Sequence, residues 1–144
     1  MSPSASRLLL LGNPRNRRVQ DFVQAAVARG LPTPSCLSYE ELLEDRTALQ
    51  RWDVELLRVD SPGENEAVAR ALIALGGGPA QSALGFGEIA YLREYHRGFC
   101  RVLDWVRQSG LPCLNQPAEI AEMFDKWACH QRFVGAGLLD LGPS

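Results

Sequence analysis

Apolar and polar positions follow two regimes along this chain, short continuous apolar runs and longer stretches of helical period. Arg7 to Leu11, one arginine followed by four leucines, is a short apolar run that predicts a strand buried on both faces, as in a parallel sheet. Gly12-Asn13-Pro14 breaks it. Val19, Phe22, Val23, Ala26 and Val27 then recur at helical spacing and predict an amphipathic helix closed by Gly30, with Pro32 barring its extension. Thr33 to Leu37 predicts a second strand, and Ser38 with Glu41 forms a capping box for a brief helix. Asp53 to Arg58 predicts a third strand, ending in the turn Asp60-Ser61-Pro62-Gly63-Glu64-Asn65. Asn65 opens a helix with Val68, Leu72 and Leu75 on one face, and Gly76-Gly77-Gly78-Pro79 stops it. Residues 76–87 read as a mobile surface loop. Glu88 to Ser109 predicts a long helix with the stripe Phe99, Val102, Leu103 and Val106, closed by Gly110, and Pro112 to Leu114 predicts a fourth strand.

Strands that alternate with helices, each strand short and apolar, predict the α/β class. The expected form is a three-layer sandwich around a mainly parallel sheet of about four strands. In such sheets ligands gather at the C-terminal ends of the strands. Those ends are Gly12 to Asn16, Ser38-Tyr39, Arg58 to Asn65, and Asn115 to Pro117. A chain of 144 residues suits one domain with its own core, here residues 7–116, after a small polar tail, 1–6, expected to be disordered.

Composition narrows the function classes. Hydrophobic residues make up 46% and charged residues 22%, ordinary for a globular protein, and the net charge of −2 gives no bulk basic field for nucleic acid or an anionic membrane. No apolar run approaches a membrane span, and Leu8 to Leu11 is too short for a signal h-region, so a cytoplasmic location is expected. The four cysteines, Cys36, Cys100, Cys113 and Cys129, form no C-x-x-C pair and have no histidine at zinc-site spacing. They read as reduced, mostly buried thiols, and no metal site is expected.

Candidate chemistry concentrates at the strand ends. The turn Gly12-Asn13-Pro14-Arg15-Asn16-Arg17-Arg18 has one glycine and is neither a dinucleotide fingerprint nor a P-loop. It reads either as an anion-holding turn at a helix N-terminus or as a tight turn with solvated arginines. Arg58, Asp60, Glu64 and Asn65 read either as a substrate-contacting loop or as turn and cap chemistry, although capping does not call for Arg58 within an apolar strand. His96 and His130 belong to no catalytic spacing pattern and read as surface or half-buried residues. No catalytic nucleophile can be assigned.

Lys126 is the one lysine among fifteen basic residues. If residues 117–136 form one helix, Glu122 and Lys126 make an i,i+4 pair worth about 0.3–0.5 kcal/mol. If instead a first helix ends near Phe124 and Asp125 caps the next, Lys126 occupies the first turn beside unpaired backbone N–H groups, where lysine and helix end together suit an anion.

The string Leu114-Asn115-Gln116-Pro117, with Ile120 and then Asp125-Lys126, followed by a helix ending in Ala136-Gly137, resembles the end of the N-terminal domain of ATP-grasp ligases. Arg58 to Asn65 resembles a segment of one bacterial branch of that family. The resemblance implies a Rossmann-like pre-ATP-grasp domain. Its helices, residues 117–137, would form a hinge toward an ATP-binding domain absent from these residues, with 138–144 as a tail. It implies the substrate side of an ATP-dependent carboxylate-amine or carboxylate-thiol ligase, with ATP and magnesium, inactive without that domain. By the same resemblance Lys126 contacts ATP phosphate, while Asn13, Arg15, Arg58 and Asp60 face a small-molecule carboxylate substrate. The family's apolar-Pro-x-Pro segment after Ala-Gly is replaced here by Leu138 to Ser144. The competing expectation is a stand-alone, non-catalytic α/β binding or interaction module, with the 117–137 helices as the face for a homo-oligomer.

Overall fold

The first apolar run becomes the middle of the sheet. In the computed structural model, which describes residues 7–63, 65–79, 91–124 and 126–137 and the side chains of all of these except 124 and 126–128, β1 (Leu8–Gly12) is flanked by two parallel strands. They are β2 (Ser35–Ser38) and β3 (Leu56–Val59), in the order β2-β1-β3. Leu10 stands level with Cys36 on one side and Arg58 on the other. A central strand with partners on both edges has no exposed polar backbone, which is why five nearly uniform apolar residues suit it. The α/β class expected from the alternation is therefore present.

The expected fourth strand is not. Cys113 forms a single isolated parallel bridge to Leu57, with Leu57 N–H donating to the Pro112 carbonyl and Leu114 N–H to the Leu57 carbonyl, each at 2.7 Å. Pro112 has no N–H to extend the ladder backward. One step forward the chain has already turned away, and the Asn115 side chain takes the place of a backbone peptide. Its Oδ1 accepts from Val59 N–H at 3.0 Å, and its Nδ2 donates to the Val59 carbonyl at 2.7 Å.

The two faces of the sheet are covered unequally. Leu9, Leu11, Leu37, Leu57 and Val59 join one continuous core with Val68 and Leu72 of α3 (Glu66–Leu75) and Phe99, Val102, Leu103 and Val106 of α4 (Leu92–Ser109). The α4 stripe predicted from sequence is wholly buried; burying Phe99 alone contributes about 1.5–3 kcal/mol. The opposite face meets α1 (Arg17–Ala28) through Val19 and Phe22. Of the stripe predicted for α1, Val19 and Ala26 are buried but Val27 is 50% exposed. With a short sheet and one thin helical cover on this face, the arrangement is a small open α/β sheet and not the full three-layer sandwich.

Local signals explain most boundaries. Asn16, Ser38 and Asn65 each cap a helix N-terminus by accepting a backbone N–H, from Arg18, Glu41 and Val68 respectively, which starts α1, α2 (Tyr39–Glu44) and α3. Gly30 and Gly110 take positive φ just past α1 and α4. A 3-10 turn, Ala48–Arg51, was not apparent in the pattern; its Ala48 and Leu49 are buried in the core. The loop expected over 76–87 falls largely on residues 80–90, which lie outside the described residues, as do the 1–6 and 138–144 tails. All four cysteines are free and only half-buried, less enclosed than expected.

Two glycines set how closely α3 and α4 approach. A Cβ on Gly98 would lie 1.9 Å from the Leu72 carbonyl oxygen, and one on Gly76 would lie 1.8 Å from the Glu94 carbonyl oxygen. Both obstacles are backbone, so neither can swing aside. Gly98→Ala should therefore destabilise the protein by about 2 kcal/mol or more in urea unfolding, although alanine is intrinsically the better helix former by about 1 kcal/mol. Gly135→Ala, where nothing lies within 4 Å, should be neutral or stabilising in the same measurement. Equal effects at the two positions would contradict this account of the α3–α4 contact.

Candidate functional site

The C-terminal edge of the sheet is built around the exit of β3. Three side chains from three segments close on it. Asn115 pairs with both backbone groups of Val59. Tyr39, fully buried at the start of α2, donates its hydroxyl to the Asp60 carbonyl. Asn13, 4% exposed in the turn after β1, donates Nδ2 to the carbonyls of Pro62 at 2.9 Å and Gly63 at 3.0 Å. Asp60 N–H continues the ladder to the Leu11 carbonyl at 2.8 Å. Each is a buried or half-buried polar group satisfied by a specific partner, so the loop from Asp60 to Gly63 is held from both sides.

The α1 side of this edge is charged. Arg58 lies half-buried with its guanidinium 4.3 Å from the centre of the Phe22 ring, a cation–π contact that explains why an arginine is tolerated in an apolar strand. Arg58, Asp60 and Arg18 surround a crevice of about 10 Å3 floored by Leu10, room for about one water molecule. Gly12 makes room beside it: a Cβ there would meet Val19 at 3.0 Å and the Asp60 Cβ at 3.4 Å. Burial, with the carboxylates of Glu41 and Asp60 nearby, pushes the Cys36 thiol up to about 11, which disfavours the thiolate at neutral pH. Burial likewise raises Tyr39 well above its ordinary range, helped by Asp60 and Tyr95, which keeps its hydroxyl a donor.

The sequence-predicted site residues divide accordingly. Asn13, Arg58 and Asp60 come together at the β3 exit. Arg15 is exposed on the neighbouring turn and makes no hydrogen bond or ion pair among the described residues. Asn65 caps α3 and also donates Nδ2 to Glu40 Oε1 at 2.8 Å. Lys126 stands at the far end of a different segment, as the first residue of α6 (Lys126–Gly135), after α5 (Pro117–Phe124) has ended. Asp125, the expected cap, lies outside the described residues. Glu122, the alternative partner for Lys126, pairs with Arg132 at 2.7 Å. Tyr39 and Asn115 are the residues that sequence reasoning left out of the site. A tyrosine immediately after a strand-end cap, and an asparagine two positions before a proline, were the available signals.

His96 Nε2 lies 3.7 Å from Cys100 Sγ, one turn along α4, but burial and Asp104 raise the Cys100 thiol, which argues against an activated pair. Among the described residues no group of three or more His, Cys, Asp or Glu side chains is placed to hold a metal ion. No described helix is long and apolar enough to cross a membrane.

Two tests follow from this geometry. Asn13→Ala orphans one buried and one half-buried carbonyl acceptor and should cost about 2–3 kcal/mol in urea unfolding. Asn13→Asp should cost more, because it sets a carboxylate oxygen against those carbonyls. A smaller loss for Asp than for Ala would overturn the assigned donor. The raised thiol also predicts pH dependence. A folded pKa above the unfolded value of 9.0 contributes stability that is complete below pH 9.0 and is lost as pH rises through about 11. Urea midpoints should therefore fall more steeply over that window in the wild type than in Cys36→Ser, and parallel curves would contradict it.

No protein-family model, no curated protein and no solved structure matches this chain.

Proposed function

We propose that the chain is the substrate-side, pre-ATP-grasp domain of an ATP-dependent carboxylate-amine or carboxylate-thiol ligase, acting together with a separate ATP-binding domain. The reading is carried by the Asn115-x-Pro117 to Lys126 segment. Its asparagine ends the sheet edge, one helix ends at Phe124, and a second begins at Lys126. A lysine at the first position of a ten-residue helix stands beside first-turn N–H groups that have no partner within the helix, an arrangement suited to a phosphate. The described residues fit one phosphate contact of this kind. They offer no carboxylate set for magnesium, which would have to come from the other domain, as would the adenine pocket. ATP would supply the activated acyl-phosphate there.

On the substrate side, Arg58 and Arg15 supply positive charge for a carboxylate, and Asp60 supplies an acceptor for an amine. Asn13 acts less as a ligand contact than as the clamp that holds the Asp60 loop in place. The exposed faces of Met123, Phe133 and Val134 on α5 and α6 support a second reading, a stand-alone module that self-associates through these helices. Light scattering separates the two: a concentration-dependent dimer lost in Phe133→Ser favours the module.

The ligase reading expects the reading frame to continue past Ser144 into a glycine-rich loop and magnesium-binding carboxylates. In that longer product, Lys126→Ala should weaken ATP-magnesium affinity by about tenfold or more, the loss of one charge-assisted phosphate contact. A stop codon directly after Ser144, or unchanged affinity, would sink the proposal.

A further inference from the structure

One cavity lies away from the strand ends. It has a volume of about 310 Å3 and sits between the turn from Arg46 to Gln50 and the last turns of α4, where Trp105, Gln108 and Ser109 line it. In a parallel sheet the helix that precedes a strand-edge segment delivers it from the N-terminal side. The end of α4, just before Pro112, therefore lies at the opposite edge of the sheet from Asn13 and Asp60. The volume is at the lower end of the range for small-molecule sites.

The polar groups around this cavity fall into two sets. Thr47 and Ser109 are engaged within the chain. Thr47 Oγ1 donates to Asp45 at 2.6 Å, while Ser109 Oγ donates to the Val106 carbonyl at 2.5 Å and accepts from Leu111 N–H at 3.2 Å. The side chains of Arg46, Gln50 and Gln108 and the indole N–H of half-buried Trp105 have no partner among the described residues. The floor is apolar, formed by Leu49 at 1% exposure and by the Trp105 ring, which packs on the core.

Charge decides the ligand class. Arg46 is the one charged residue lining the cavity. Two nearby acids are engaged: Asp45 is held by Thr47 and by Arg51 at 2.5 Å, and Asp104 by Arg107. What remains is a guanidinium over an apolar floor, with an indole N–H and two carboxamides as further donors.

We propose that this cavity is a binding site for a small organic carboxylate, its carboxyl group on Arg46 and its apolar body against Leu49 and Trp105. The site is independent of the ligase reading, since it uses none of those residues. Guanidinium and carboxylate form charge-assisted pairs, and the two carboxamides can bond substituents on the ligand body.

The test is titration of the 15N-labelled protein, with the Trp105 indole signal identified by its loss in Trp105→Phe. Benzoate and glutamate serve as carboxylate probes, with benzamide and inorganic phosphate as the neutral and non-carboxylate arms. The expected result is a saturable shift of the Trp105 indole signal with at least one carboxylate and none with benzamide. That affinity should fall by about tenfold or more in Arg46→Gln, an exposed turn substitution that leaves the fold intact. The proposal is overturned if neither carboxylate gives a saturable shift, if benzamide or phosphate matches them, or if Arg46→Gln binds as the wild type does.

Discussion

The outer edge of β3 is the constraint on which the rest of this small sheet depends. A parallel edge strand presents alternate N–H and C=O groups that must be satisfied, and here there is no full strand to satisfy them. Pro112 and Leu114 close one step of the ladder on Leu57, and the carboxamide of Asn115 closes the next on Val59. A side-chain amide has the same donor and acceptor as a peptide, so one asparagine does the work of another strand residue while the backbone is free to turn into α5. The loop beyond Val59 is then fixed by Tyr39 and Asn13, which bring the ends of β2 and β1 onto the same few residues.

Much of this architecture was legible in the sequence, for physical reasons that can be named. Leu8 to Leu11 read as a doubly buried strand because a central parallel strand needs apolar residues on both faces, and it is the central strand. The caps Ser38 and Asn65 and the stop at Gly110 act within a few residues, so local chemistry reveals them. The ladder role of Asn115 was not foreseen because it is non-local: nothing in Leu114-Asn115-Gln116-Pro117 says that its side chain completes a ladder on a residue 56 positions away. The same limit hid Tyr39, whose partner lies 21 positions on. Arg58 looked anomalous in an apolar strand because its stacking partner, Phe22, belongs to α1. The 3-10 turn escaped because four residues are too few to show a period.

The geometry also redistributes roles among the candidate residues. Side chains that looked like ligand contacts at the strand ends turn out to differ in kind. Asn13 and Asn65 are occupied in holding loops and starting helices, whereas Arg15 is exposed on its turn with no such engagement among the described residues. An edge fixed in this way presents the Asp60 loop and the neighbouring Arg58 in one arrangement, which reduces the entropy lost when a ligand is ordered there. At the other edge, the cavity beside Trp105 has the opposite character, with the side chains of Arg46, Gln50, Gln108 and Trp105 unengaged among the described residues and its apolar floor set by the core.

The central claim is that the Asn115 side chain, and no backbone strand, protects the exit of β3. Amide hydrogen exchange at Val59 measures it directly, because that N–H donates to Asn115 Oδ1. The account predicts that Val59 is protected in the wild type, together with Leu57. In Asn115→Ala it should exchange at a loop-like rate while Leu57, bonded to the Pro112 carbonyl, keeps most of its protection. Val59 exchanging freely in the wild type, or remaining fully protected in Asn115→Ala, would contradict it.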